Sequence, residues 1–122
     1  MNGVRIALLA FVAVAAIDQA AASAGPSTRL VGRVGPGQTI TLKTALGRTV
    51  RTLRAGRYTI VIRDRSTTDN FHLIDRDPTV PDKKTGVRFV GVRTWTVILG
   101  HGEYRYVSDP HRSSLRGTFR VN

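Results

Sequence analysis

Short runs of β-forming residues, each ended by glycine, proline or an Asx turn, constrain the fold of this chain more than any other feature. The clearest run is residues 57–64, in which Tyr58, Ile60 and Ile62 share one face. No segment of useful length repeats its apolar residues at the helical period. Strands this short and this evenly spaced are typical of a β-sandwich or barrel, so we predict an all-β domain.

Eight strands are predicted from this pattern. They are residues 30–34, 39–44, 49–53, 57–64, 87–92, 94–99, 104–108 and 117–121, and residues 71–74 leave a polar loop at residues 65–70. Residues 75–84 are charged and broken by prolines, which indicates a surface excursion. Residues 100–103 are interpreted as a hairpin turn, and a lone histidine at such a tip, His101, is expected to be exposed to solvent rather than to bind a ligand.

The start of the chain differs in character from the rest. Residues 6–17 form an apolar run of twelve, which is too short to span a bilayer and suits the hydrophobic part of a secretory signal. Ala22-Ser23-Ala24 fits the small-residue rule for signal peptidase. We therefore predict a signal peptide over residues 1–24, a domain over residues 25–122, and a periplasmic or extracellular location. An uncleaved anchor is the other interpretation, and the shortness of the run disfavours it.

The absence of cysteine limits the chemistry of the chain. An exported domain with a thin core usually contains disulfides, so this core must suffice alone. No thiolate is available as a metal ligand or a redox group. We also find no nucleophile elbow, no paired carboxylates and no phosphate-binding glycine loop, so we expect that the protein is not an enzyme.

Basic residues dominate the charge. The chain has 19 Lys and Arg against 8 Asp and Glu, a formal net charge of +11. A field of this sign attracts anionic surfaces, and we expect an anionic partner such as an envelope surface or an acidic protein. The charges are scattered along the strands and accompany no nucleic-acid-binding motif, so no specific nucleic acid is expected. The alternative is a solvated surface that is merely rich in arginine.

Three motifs in order suggest a family. They are Asn70-Phe71-His72-Leu73, the segment TWTV at residues 94–97 before a Gly-x-Gly-Glu-Tyr turn, and the segment YRYVSDPHRSSLRGTFRV at residues 104–121. Together they resemble the cupredoxins, the plastocyanin-like type 1 blue copper proteins, over most of residues 30–121. The resemblance implies a Greek-key β-sandwich or barrel with antiparallel or mixed strand pairing.

The resemblance also implies which residues correspond to the copper ligands. His72 and His111 fall on the two histidine positions, Ser108 on the cysteine position and Leu115 on the axial methionine position, while Asn70 falls on a residue that braces the metal loop. Blue copper requires a His₂Cys plane with a weak axial ligand. A serine hydroxyl cannot replace the thiolate, so type 1 electron transfer is not expected.

Two functions remain open after this comparison. In the first, His72 and His111 retain a weak site for copper or another divalent ion, with oxygens from Ser108, Asp109 or Asp69. In the second, the histidines are only hydrogen-bonded, and the domain is a metal-free interaction module whose basic surface docks an anionic partner.

Overall fold

The computed structural model describes residues 27–122, and these residues form nine strands in two packed sheets. The strands are β1 (Thr28–Val34), β2 (Ile40–Thr44), β3 (Thr52–Leu53), β4 (Gly56–Asp64), β5 (His72–Asp75), β6 (Lys83–Lys84), β7 (Gly91–Leu99), β8 (Gly102–Val107) and β9 (Arg116–Val121). A 3₁₀ turn at Asp109–His111 lies between β8 and β9. The predicted signal peptide, residues 1–24, lies outside the described residues and stays a prediction.

The predicted all-β sandwich with mixed pairing is confirmed. The first sheet has the order β2-β1-β4-β7 and the second sheet has the order β3-β9-β8-β5-β6. β1 pairs parallel with β4, and β3 pairs parallel with β9, while the other strand pairs are antiparallel. Because residues alternate between faces along each strand, one face of each sheet supplies the core and the other faces outward.

Residues 87–92 are not a separate strand, which corrects the sequence-based prediction. A turn bridges Gly86 and Phe89, where the Phe89 N–H donates to the Gly86 carbonyl at 3.1 Å, and β7 then runs unbroken from Gly91 to Leu99. β7 is an edge strand, so Arg93 can extend over the Phe89 ring, 4.2 Å from its centroid, without entering the core.

The turn at residues 100–103 is not a hairpin, which is a second correction. β7 pairs with β4 in the first sheet, whereas β8 pairs with β5 and β9 in the second sheet. The turn therefore carries the chain from one sheet to the other. The predicted surface excursion at residues 75–84 also contains a short strand, β6, which pairs with β5 and forms the edge of the second sheet.

Aromatic rings pack along the core side of the second sheet, and Phe71 also reaches Trp95 of β7 in the first sheet, with ring centroids 6.2 Å apart. The Phe71 and Tyr106 rings lie 5.4 Å apart and nearly parallel, and Tyr104 and Phe119 stack in the same way at 5.2 Å. Gly117, in the segment GTF, lies against Tyr106, and a Cβ atom there would collide with the tyrosine ring. This packing fixes the end of β8 against the start of β9, where the candidate site lies.

Candidate functional site

Two loops and the start of one strand meet at one end of the sandwich. The first loop leads from β4 into β5 and contains Asp69 and Asn70, and the second loop connects β8 to β9 and contains residues 108–115. Pairing of β5 with β8 places His72 opposite Val107, next to the second loop. We call this region, residues 69–72 and 108–115, the histidine end.

Asn70 connects the two loops of the histidine end. Its Nδ2 donates to the Thr85 carbonyl at 3.0 Å and to Asp109 Oδ2 at 2.9 Å, and its Oδ1 accepts the Asp109 N–H at 2.7 Å. The side chain is buried, so these bonds replace those that water would make. Asn70 thus ties the second loop to the first.

Ser108 is fully buried and its hydroxyl is engaged. It donates to Asp69 Oδ1 at 2.7 Å and accepts the Asn70 N–H at 3.3 Å. The proton of the hydroxyl is therefore committed to the Asp69 carboxylate. Leu115 is also buried, and its backbone closes the second loop through bonds to the Ser108 N–H and the His111 carbonyl.

His111 is paired with a buried carboxylate. Its Nδ1 lies 2.6 Å from Asp69 Oδ1, the same oxygen that accepts from Ser108. Burial alone would raise the pKa of Asp69, but the hydrogen bonds from Ser108 and His111 and the charge of His111 outweigh it, so this pKa lies below its ordinary value. Asp69 is thus held ionised and accepts from both groups.

His72 lies between two carboxylates. Its Nδ1 is 2.8 Å from Asp109 Oδ1, and its Nε2 is 2.8 Å from Asp82 Oδ2. An ionised carboxylate only accepts hydrogen bonds, so both contacts are satisfied together when both ring nitrogens carry a proton. In this arrangement the buried His72 side chain has no lone pair to offer a metal ion.

Asp109 is the most connected acid of the histidine end. Besides His72 and Asn70, it accepts from Arg112 at 2.7 Å. Burial acts to raise the pKa of Asp109, but the hydrogen bonds from His72 and Asn70, the charge of His72 and the hydrogen bond from Arg112 lower it below its ordinary value. The carboxylate is therefore ionised where it meets His72.

Comparison with solved structures identifies the architecture. No protein-family model and no curated protein sequence matches the chain. Reduced rusticyanin matches with a TM-score of 0.60 and 17% identity, over 80% of this chain and 81% of that one. Rusticyanin from Thiobacillus ferrooxidans matches with a TM-score of 0.57 and 19% identity, over 80% of this chain and 79% of that one. The chain has the cupredoxin fold.

The residues present do not fit the type 1 copper ion of a cupredoxin. Rusticyanin is a copper protein, so the fold makes copper plausible. Here, however, the cysteine position holds Ser108, which is bonded to Asp69, and Leu115 offers no donor atom. Within residues 27–122, no three histidine, cysteine, aspartate or glutamate side chains are placed so that they could hold a metal ion. Both histidines hydrogen-bond to carboxylates.

The structure brings together the residues that the sequence singled out. His72, His111, Ser108, Leu115 and Asn70 all belong to the histidine end, and Asp69 and Asp109 each bond to an imidazole there. His101 is exposed at the opposite end of β8. The contact between Asp82 and His72 was not predicted from the sequence. Asp82 lies in the excursion at residues 75–84, and no spacing motif links it to His72.

The exterior of the domain is strongly unbalanced in charge. Of the eighteen lysines and arginines that follow Arg5, three pair with a carboxylate within the described residues: Arg76 and Arg120 with Glu103, and Arg112 with Asp109. All fifteen arginines of this set are exposed. Asp64 and Asp69, by contrast, are buried, so the surface is more basic than the composition alone implies. No helix within residues 27–122 is long and apolar enough to cross a bilayer.

Proposed function

We infer that this protein is an exported, metal-independent binding module that docks an anionic partner through its basic exterior. One observation carries the proposal: Asp69, Asp82 and Asp109 are directed at imidazoles. The same three contacts engage both ring nitrogens of His72 and Nδ1 of His111, and they pair three carboxylates that would otherwise offset the arginine-rich surface.

The carboxylate–imidazole pairs do the structural work that a metal ion does elsewhere. Asp109 and His72 tie the second loop to β5, and Asp69 and His111 tie the first loop to the second. Breaking a buried ion pair by removing one partner leaves an uncompensated charge and costs about 3–5 kcal/mol. A metal ion could reach His72 only by displacing Asp109 or Asp82. Its binding would be opposed by part of that cost, because the Asp82 side chain is 40% exposed and water screens its pair with His72.

Weak metal binding through His72 and His111 is the second candidate function. It is favoured by the position of both histidines at the end of a fold that rusticyanin shares. Titration with copper(II) and zinc(II) by calorimetry, with glycine present as a weak competing chelator, tests it. We expect no stoichiometric uptake by the protein.

The histidine variants give that titration its controls. One-to-one uptake that is lost in both His72→Ala and His111→Ala, and kept in His101→Ala, would contradict the metal-independent proposal. His101→Ala is the matched control because it also removes one imidazole, but from the opposite end of β8.

Docking of an anionic partner is tested by binding to three probes: heparin, an acidic protein, and vesicles that contain phosphatidylglycerol. We expect binding to at least one of them near physiological ionic strength, and weaker binding as salt is added, because exposed charges are screened over about 8 Å there. Binding that does not respond to salt, or no binding to any probe, would overturn the docking function.

A further inference from the structure

The outer face of the first sheet concentrates positive charge. Alternation along its strands places Arg29 and Arg33 of β1, Arg57 and Arg63 of β4, and Lys43 of β2 on the side that faces away from the core. We call this surface the arginine face. The other outward residues of its four strands are threonines and aliphatic residues, and the face contains no carboxylate within the described part of the chain.

Repulsion between neighbouring cations on the arginine face destabilises the folded protein. Arg33 and Arg63 are partners in register on neighbouring strands, so two like charges lie side by side. Like charges directly opposite each other across a strand pair are destabilising. Neither residue is paired with a carboxylate in residues 27–122, and an external anion would relieve the repulsion.

Exposed aliphatic residues lie beside these charges on the edge strand. Ile98 is 76% exposed and is the register partner of Arg57, and Val92 is 52% exposed and is the register partner of Arg63. Both belong to the outer side of β7. Cations next to exposed apolar side chains on one surface are the combination that peripheral membrane proteins use at a bilayer interface.

The shape of the arginine face selects among anions. Strands lie about 4.8 Å apart and rise about 3.3 Å per residue, so the charges spread over roughly 10 by 20 Å of an open sheet surface. A small anion is normally held in a concave site, and a nucleic acid is gripped along its backbone in a groove. Cations spread over one open sheet face match the array of phosphates at a bilayer surface.

We propose that the arginine face docks on an anionic bilayer surface, with the phosphates of lipid headgroups meeting Arg29, Arg33, Lys43, Arg57 and Arg63. The proposal rests on the proposed function and names the partner of that function. Ile98 then reaches the boundary between headgroups and acyl chains at the edge of the contact. Each arginine near an anionic membrane contributes about fivefold in partitioning.

Vesicle binding by two matched triple variants tests the proposal. The first variant is Arg33→Gln, Arg57→Gln and Arg63→Gln on the arginine face, and the second is Arg51→Gln, Arg105→Gln and Arg116→Gln on the second sheet and its margin. Both lose the same charge, and none of the six residues has a carboxylate partner in residues 27–122. Partitioning of the exported protein is measured by co-sedimentation with phosphatidylglycerol–phosphatidylcholine vesicles and with pure phosphatidylcholine vesicles.

We expect the arginine-face variant to lose about 100-fold in partitioning and the control variant to lose less than tenfold, since three nearby charges contribute about fivefold each. Ile98→Ser should lower the partitioning a further few-fold. Equal losses in the two triple variants, or a larger loss in the control, would overturn the proposal, because net charge or the cations of the second sheet would then explain binding. If the wild-type protein does not bind the vesicles but binds heparin or the acidic protein, the lipid proposal is overturned. The proposed docking function would then still stand.

Discussion

At the scale of single residues, Asp69 controls the histidine end. One buried carboxylate oxygen accepts hydrogen bonds from both Ser108 and His111. Its neighbour Asn70 reaches the same loop through Asp109. Asp69 and Asn70, which are adjacent in the first loop, therefore hold Ser108, Asp109 and His111 of the second loop. We expect substitutions of these two residues to destabilise the region.

Asp69→Ala should lower the free energy of unfolding by about 3 kcal/mol, because it leaves a buried serine and an imidazole without their acceptor. Urea denaturation followed by Trp95 fluorescence measures the change. Asp77→Ala is the control, since that carboxylate is exposed and bonds only within its own turn. A small effect at Asp69, comparable to that at Asp77, would show that the pairs do not stabilise the loops.

Acid should destabilise the protein through Asp69 and Asp109. The pKa of each is lowered in the folded state, so the stabilisation is fully present above the unfolded value of about 3.9 and is lost as pH falls through the folded value. Unfolding free energies measured from about pH 6 down to about pH 2 should therefore fall, and the fall should be smaller in Asp69→Ala. An equal fall in both proteins would contradict this account.

Ser108→Cys separates the metal-independent function from a weakened copper site. A thiol is a poor donor to Asp69, so the variant should be about 1 kcal/mol less stable than the wild type. With copper(II) it should remain colourless, because His72 and His111 stay paired with carboxylates. An intense visible absorption band in the folded variant would show that the loop still holds a copper geometry and would restore the metal hypothesis.

At the scale of elements, the contact between β8 and β9 determines how the second loop is presented. Gly117 allows Tyr106 to lie flat over β9. Gly117→Ala should cost about 1–3 kcal/mol, since the added methyl group forces Tyr106 or the strand to move. Gly100→Ala is the control, because space around Gly100 is open. Thermal unfolding of both variants measures the difference, and equal melting temperatures would refute the packing argument.

Strands were predictable from the sequence where apolar and polar residues alternate strongly, as along Arg57 to Asp64. They were less predictable where an edge strand tolerates a charged residue, as at Arg93. The turn at residues 100–103 shows why topology was harder. Glycines reveal that the chain reverses there, but the sheet that β8 joins depends on pairing with β5 and β9 far along the chain. The histidines could be located by motif order, whereas Asp82 could not, because its contact with His72 depends on a long loop.

At the scale of the whole molecule, the balance of charge opposes compactness. With a formal net charge of +11 and few ion pairs, the folded protein repels itself more than the expanded chain does. Added salt should therefore raise the melting temperature, as screening reduces the repulsion. The triple variant on the arginine face should start with a higher melting temperature and respond less to salt. A melting temperature that falls with sodium chloride in the wild type would contradict this expectation.

The pairs between carboxylates and imidazoles also bear on how the protein matures. Their components are all encoded in the chain, so the loops at the histidine end can close as soon as β5 and β8 align. If the domain is metal-independent, as we propose, assembly of this end requires no ion to be delivered by another protein and no particular oxidation state in its surroundings. The domain would then complete its folding where copper is scarce, and a chelator would have nothing to withdraw from it.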